Sequence, residues 1–259
     1  MLRPVWVPHF CCSPVAVNKP MYPLPRLKPG EPFPPARTAW GADSDAPGLL
    51  ALGADLGIET LKRAYQSGIF PWFSAGQPIL WWSPDPRMVL FPDEFRLSRS
   101  LRKRLKRSDF IVSINLAFES VMRACATTPR PGQNGTWITQ EMLNAYVTLH
   151  KSGHAHSVEC WDSATGHLVG GLYGVSIGKM FYGESMFSHA TDASKAAFAH
   201  LIAVLQSQNA PIIDCQMKTD HLTSLGGREI PRAEFTGHLT RATAQSPLQW
   251  PHGPLALHW

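Results

Sequence analysis

Residues 156–217 read HSVECWDSATGHLVGGLYGVSIGKMFYGESMFSHATDASKAAFAHLIAVLQSQNAPIIDCQM, and the order of patterns in this stretch decides the fold. Three strand-like runs come first, over 156–162, 167–177 and 179–187. Turn segments at 163–166 and Gly178 separate them, so they read as an antiparallel meander. A helix is expected over 193–208, with Asp192 as its N-cap and Asn209 and Pro211 as stop signals. A strand over 211–217 follows at once. A meander, a helix, another strand and another helix make an α+β unit around a central mixed sheet.

Upstream, the pattern predicts a helix over 98–106, a strand over 110–115, a helix over 118–126 and, after the loop TTPRPGQNG, a helix over 139–152. Downstream, a shorter helix and an EIPRAEF turn close the unit. This element order is that of an acetyltransferase-like (GNAT) domain, assigned to residues 86–259. Residues 1–85 are read as a small N-terminal α/β domain. Its helix is expected over 58–66, stopped by Gly68 and Pro71, and the turn-rich segment with Pro84 and Pro86 marks the boundary. Residues 1–47 hold 11 of the 23 prolines, which rules out a regular helix or central strand there. They are expected to wrap the surface as extended chain, with the first 20 or so residues poorly ordered.

The 259 residues are 44% hydrophobic and only 17% charged, which excludes a disordered chain and supplies a sizeable core. Five cysteines, an odd number without CxxC spacing, make neither a disulfide framework nor a zinc site. No apolar run approaches the roughly 20 residues that span a bilayer, and prolines interrupt the start where a signal peptide would lie. The expected location is the cytoplasm, with no membrane partner. A net charge of +5 and a pI near 9.0 fit a polyanionic partner.

Four features are candidates for chemistry. On the strand IIDCQ, alternation puts Asp214 and Gln216 on one face, and a carboxylate on an apolar strand needs a partner. A structural acid capping a neighbouring helix is the plain alternative. On the strand MFYGESMF, alternation groups Tyr182, Glu184 and Met186 against Phe181, Gly183, Ser185 and Phe187. Glu184 is a second acid within apolar sequence; a solvated edge is its plain reading. Residues 96–107 carry seven cations and no acid. Arg99, Lys103 and Lys106 share a helix face there, a pattern that suits a phosphate backbone as well as a solvated face. The aromatics Phe70, Trp72, Phe73, Trp81 and Trp82 read mainly as a small core, with base stacking as the functional alternative. The histidines show no metal-ligand spacing, and no cofactor or metal is expected.

The stretches GLLALGADL, GIFPWFS, ILWWSPDPR, GTWIT, GHAHSVE, GGLYGV, FYGESMFS, DASK, IDCQ and EIPR occur in that order. Together they resemble the leucyl/phenylalanyl-tRNA–protein transferase family from about residue 22 to about residue 240. The resemblance implies a bacterial enzyme that moves Leu, Phe or less readily Met from aminoacyl-tRNA to the N-terminal amine of proteins beginning with Arg or Lys. The added residue marks those proteins for degradation. It implies that Trp72 and Trp137 serve the terminal adenosine of tRNA and that Glu184, Asp214 and Gln216 lie in the active site. It also implies that Arg99, Lys103, Lys106 and Arg107 hold the acceptor stem. Leu172 stands where a Met is expected in the amino-acid pocket, beside Met186, and Tyr182 where some members have Cys. A monomer is expected.

The reaction implied is ester aminolysis, which needs no ATP. Asp214 polarising Gln216, Asp214 acting as base, and a purely positional role remain open. Two rival readings remain. An acyl-CoA N-acyltransferase would carry an R/QxxGxG/A loop where this chain has SHATDASK. An RNA-binding module would leave Asp214 and Gln216 without a purpose.

Overall fold

In a computed structural model the chain is described over residues 24–129, 136–256 and 259. The segment expected to be poorly ordered, about 1–20, lies outside these residues, as do Cys11 and Cys12. The described part begins with strands β1 (Arg26–Leu27) and β2 (Leu49–Gly53), helix α1 (Ile58–Gln66), and strands β3 (Phe70–Pro71) and β4 (Leu80–Trp82). The strands form a mixed sheet in the order β1-β2-β4-β3. Helix α1 takes the predicted bounds because Thr60, Leu61, Ala64 and Tyr65 recur on one face and are buried together. Strand β4 stands where the sequence reading gives a turn-rich segment; three residues are too few to display a two-residue period.

The larger sheet comprises β5 (Arg87–Leu90), β6 (Phe110–Ile114), β7 (Ala155–Asp162), β8 (Leu168–Ile177), β9 (Met180–Ser188), β10 (Ile212–Gln216), β11 (Arg228–Ile230) and β12 (Gly253–Pro254). Its order is β11-β5-β10-β9-β8-β7-β6-β12. The expected meander is β7-β8-β9, paired antiparallel throughout. Strands β9 and β10 are parallel, so the chain must cross over between them, and it does so through α5 (Ala193–Ser207). The remaining helices are α2 (Arg99–Leu105), α3 (Phe118–Thr127), α4 (Gln140–Lys151), α6 (Asp220–Ser224) and α7 (Arg232–Thr243). The fold class is therefore α+β with mixed sheets, as read from the sequence.

The large sheet has two different faces. Leu172, Phe181, Met186, Ile213 and Cys215 pack beneath α5. On the opposite face Tyr173, Tyr182 and Phe187 share one core with α1, α3, α4, α7 and the small sheet. Two local expectations change. The EIPRAEF segment is not a turn: it ends β11 and opens the twelve-residue α7, because Pro231 at the N-cap cannot extend the strand but suits a helix start. Asp192 stands at the N-cap of α5, yet its carboxylate bonds the Lys195 ammonium at 2.9 Å instead of capping the helix.

Candidate active site

Strands β9 and β10 stay paired only from Met180/Ile212 to Tyr182/Asp214, although both continue beyond. Each carries one extra residue just past that point. Along β9, Gly183 faces Gly174 and Ser185 faces Tyr173, which leaves Glu184 as the insertion. Along β10, Asp214 faces Val89 and Gln216 faces Met88, which leaves Cys215 as the insertion. A Cβ on Gly174 would come within 2.2 Å of the Tyr182 carbonyl oxygen, so glycine is required beside the β9 bulge. One inserted residue reverses the phase of every side chain after it. The alternation expected over 180–187 therefore fails. Met186 joins Phe181 under α5, while Phe187 joins Tyr182 on the other face.

The parted strands present a buried polar cluster. Gln216 donates its side-chain amide to Glu184 Oε1 at 3.0 Å, bridging the two strands beyond their last pair. Tyr65, on the buried face of α1, donates to the same Oε1 at 2.7 Å. Tyr146, on the buried face of α4, lies 3.4 Å from Oε2 and bonds the Tyr65 hydroxyl. Tyr182 turns away and donates to the Tyr65 carbonyl at 2.9 Å. Glu184 is 1% exposed, and burial pushes its carboxyl up to about 8, the charge of Asp214 adding to the rise and the Tyr65 hydrogen bond opposing it. Burial, reinforced by Glu184, likewise raises the Tyr65 and Tyr146 phenols well above their usual range.

Asp214 answers the question of its partner. The Arg87 guanidinium grips it with two bonds, Nε to Oδ1 at 2.8 Å and Nη2 to Oδ2 at 2.7 Å. Asp214 also accepts the main-chain N–H of Gln216 at 2.9 Å. Its link to Gln216 thus runs to the backbone and not to the amide side chain. Gln216 itself has φ 62°, a left-handed conformation that is uncommon for a residue other than glycine. Among the described residues its side-chain oxygen accepts no hydrogen bond.

On the α5 face an apolar pocket opens where the strands part, lined by Leu172, Phe181, Gly183, Met186, Phe198 and Cys215 among others. Leu172 and Met186 stand directly opposite each other on β8 and β9. Tyr182 lies on the other side of the sheet and does not line this pocket. Trp72 is half-buried and meets Trp82 edge-on at 5.4 Å, whereas Trp137 is buried; both pack into the core on the α1 face. Helix α2 forms in the basic run. Ser98 caps it through a bond from the Leu101 N–H, and Leu101 is its buried anchor. Arg99, Lys103 and Lys106 are exposed and form no ion pair among the described residues. Arg107 differs: its Nε lies 2.9 Å from Asp109, which Arg104 also engages.

Residues 89–240 match the family model for leucyl/phenylalanyl-tRNA protein transferase, and residues 54–85 match the model for that family's N-terminal domain. The chain is 55% identical over 238 residues to the leucyl/phenylalanyl-tRNA–protein transferase of Burkholderia vietnamiensis, covering 90% of this chain and 93% of that protein. It is 58% identical over 222 residues to the one of Cupriavidus necator, covering 84% and 88%. The chain belongs to the leucyl/phenylalanyl-tRNA–protein transferase family. This is a family of transferase enzymes, as the resemblance implied. Among solved structures the likeness is distant: L-PGS from Bacillus licheniformis matches with a TM-score of 0.36 and 12% identity, over 64% of this chain and 53% of that one.

The transferase fold brings Glu184, Asp214 and Gln216 together and sets Leu172 and Met186 on the far side of the same split. Sequence reasoning missed Arg87, Tyr65 and Tyr146. Arg87 had a signal: a cation opening the apolar strand RMVL needs a buried acid, and Asp214 in IIDCQ needs a buried cation. The tyrosines had none, since each occupies an ordinary apolar helix position.

Proposed function

We propose that the enzyme transfers Leu or Phe, and less readily Met, from aminoacyl-tRNA to the N-terminal α-amine of proteins beginning with Arg or Lys. The added residue marks the acceptor for degradation. The observation that supports this reading best is the split between β9 and β10, which has an apolar pocket on one face and a buried polar cluster on the other. An aminoacyl side chain seated against Leu172 and Met186 places its ester at the split, beside Gln216. Met186 adapts to unbranched or γ-branched apolar groups at low cost. A central split sheet is also what an acetyltransferase-like domain would offer.

The attacking α-amine has a pKa of about 7.7–8.0, so a useful fraction is neutral near pH 7. Its N–H is accepted by the side-chain oxygen of Gln216, whose amide Glu184 orients from the other side. The new N–C bond forms as the ester C–O bond breaks, and the amine's proton passes to the departing ribose oxygen. Orientation supplies the rate here. Asp214, enclosed by Arg87 and the Gln216 main chain, holds the strand end and does not touch substrate. Trp72 and Trp137 support the terminal adenosine. Arg99, Lys103 and Lys106, with a smaller share from Arg107, meet the acceptor-stem phosphates, which give affinity without sequence information. The enzyme acts as a monomer in the cytoplasm, without a cofactor.

The test is incubation with Leu-tRNA and an Arg-starting peptide in the absence of ATP, added metal and coenzyme A. The reading expects a peptide one leucine longer. Transfer from acetyl-coenzyme A instead, or no transfer from Leu-tRNA, would defeat it.

A further inference from the structure

Three of the ten sequence stretches that mark the family meet at one buried guanidinium, and a fourth braces the chain leading into it. Phe70 of GIFPWFS and Phe235, three residues past EIPR, lie with their ring centroids 4.9 and 4.7 Å from the Arg87 guanidinium carbon. Arg87 closes ILWWSPDPR, and its acid, Asp214, belongs to IDCQ. Arg232 of EIPR then fastens the segment leading into Arg87: it donates to the Ser83 carbonyl, and its main-chain N–H bonds Asp85 at 3.0 Å. Arg87 and Asp214 are 1% and 0% exposed.

A buried ion pair is weak evidence for stability, since well-packed apolar residues often serve as well. What this pair does is local. The Asp214 Oδ1 that receives Arg87 Nε also receives the Gln216 N–H, across the one-residue insertion at Cys215. That contact is a side-chain turn closing over two residues, and such turns fix the following backbone. Gln216 stands at φ 62°, where a non-glycine residue persists only if its surroundings over-determine it. Its surroundings are Asp214 on the main chain and Glu184 on the side chain.

We propose that Arg87 is a positioning residue for aminoacyl transfer: it orients Asp214, and Asp214 holds Gln216 in the left-handed conformation that aims its amide into the split. This rests on the role given to Gln216 above. Arg87 reaches neither substrate, so its effect must pass through Gln216.

The test is a double-mutant cycle on leucine transfer from Leu-tRNA to an Arg-starting peptide. Arg87→Lys keeps the charge and loses the two-pronged grip. Alone it should lower kcat by on the order of tenfold, with both KM values within about twofold, in a protein folded by circular dichroism. In a Gln216→Ala background the same change should alter kcat by less than about twofold, because coupled residues are not additive. Equal losses in both backgrounds, an unchanged kcat, or a loss confined to KM would each overturn the proposal. Should Arg87→Lys not fold, Asp214→Asn replaces it with the same expectations. If neither folds, the pair is a folding element and the proposal falls. Absence of transfer by the wild-type protein would instead defeat the functional reading itself.

Discussion

Charge occurs in this molecule in two opposite settings. Around the β9–β10 split, the Arg87–Asp214 ion pair is almost fully enclosed beside the Glu184 carboxyl, which burial favours in its protonated form, and each is held by named partners. On and at the end of α2, Arg99, Lys103 and Lys106 are exposed and have no acidic partner among the described residues. The first setting makes removal of one group costly, because its partner stays behind in a medium that cannot solvate it. The second makes removal nearly free for the fold, so any penalty must appear in binding. Under the function proposed above, the enclosed groups would set geometry and the exposed ones affinity.

The largest effect should come from Arg87→Ala. It leaves the Asp214 carboxylate buried without its cation, which costs about 3–5 kcal/mol. Urea unfolding followed by circular dichroism measures this, and a loss below about 1 kcal/mol would show that the enclosed pair behaves like a surface pair. Next in size is Tyr65→Phe. It removes a donor from Glu184 and should cost about 1–3 kcal/mol by the same measurement. Tyr146→Phe should cost less, since its bond to Glu184 is longer.

A pH series sharpens the same contrast. The Glu184 carboxyl is raised to about 8 in the folded protein, against roughly 4.3 when unfolded. Between these values the folded chain keeps a proton that the unfolded chain has released. The contribution of this group is therefore full below about pH 4.3, falls as pH rises towards 8 and is flat above it. Going from pH 5 to 9, the melting temperature of the wild type should drop further than that of Glu184→Gln. Parallel curves would place the Glu184 titration elsewhere.

The exposed setting was the easier of the two to read from sequence. Seven cations in a short run declare themselves, and the helix beneath them follows from Ser98 and Leu101. The pairing of Arg107 with Asp109 was not visible, because the run was read only to its last cation, two residues before that acid. The enclosed setting was half legible. Asp214, Gln216 and Glu184 were visible as polar residues in apolar strands, and the meander, α5 and β10 followed from period and stop signals. The bulges at Glu184 and Cys215 were not, because an inserted residue leaves the composition of a strand unchanged and is defined only by the neighbouring strand. That is why Tyr182 and Met186 were assigned to one face. Tyr65 and Tyr146 stayed hidden because a buried phenol and a buried phenyl ring give the same helical pattern.

The smallest effect on the fold should be that of Lys103→Ala/Lys106→Ala, within about 0.5 kcal/mol of wild type. Its logarithmic salt dependence of tRNA binding should flatten by on the order of two units, one per phosphate contact. Arg107→Ala should flatten it less, since Arg107 already has a partner in Asp109.

Steady-state transfer of leucine from Leu-tRNA to an Arg-starting peptide, at two salt concentrations, tests the division most directly. Gln216→Ala should lower kcat on the order of a hundredfold at either salt concentration, with the KM for Leu-tRNA unchanged. Lys103→Ala/Lys106→Ala should do the reverse, raising KM while leaving kcat at the wild-type value. The double variant's KM should also respond less to salt than the wild type's. Loss of kcat in the α2 variant, or a change in tRNA KM in the Gln216 variant, would contradict the assignment of geometry to the enclosed residues and affinity to the exposed ones.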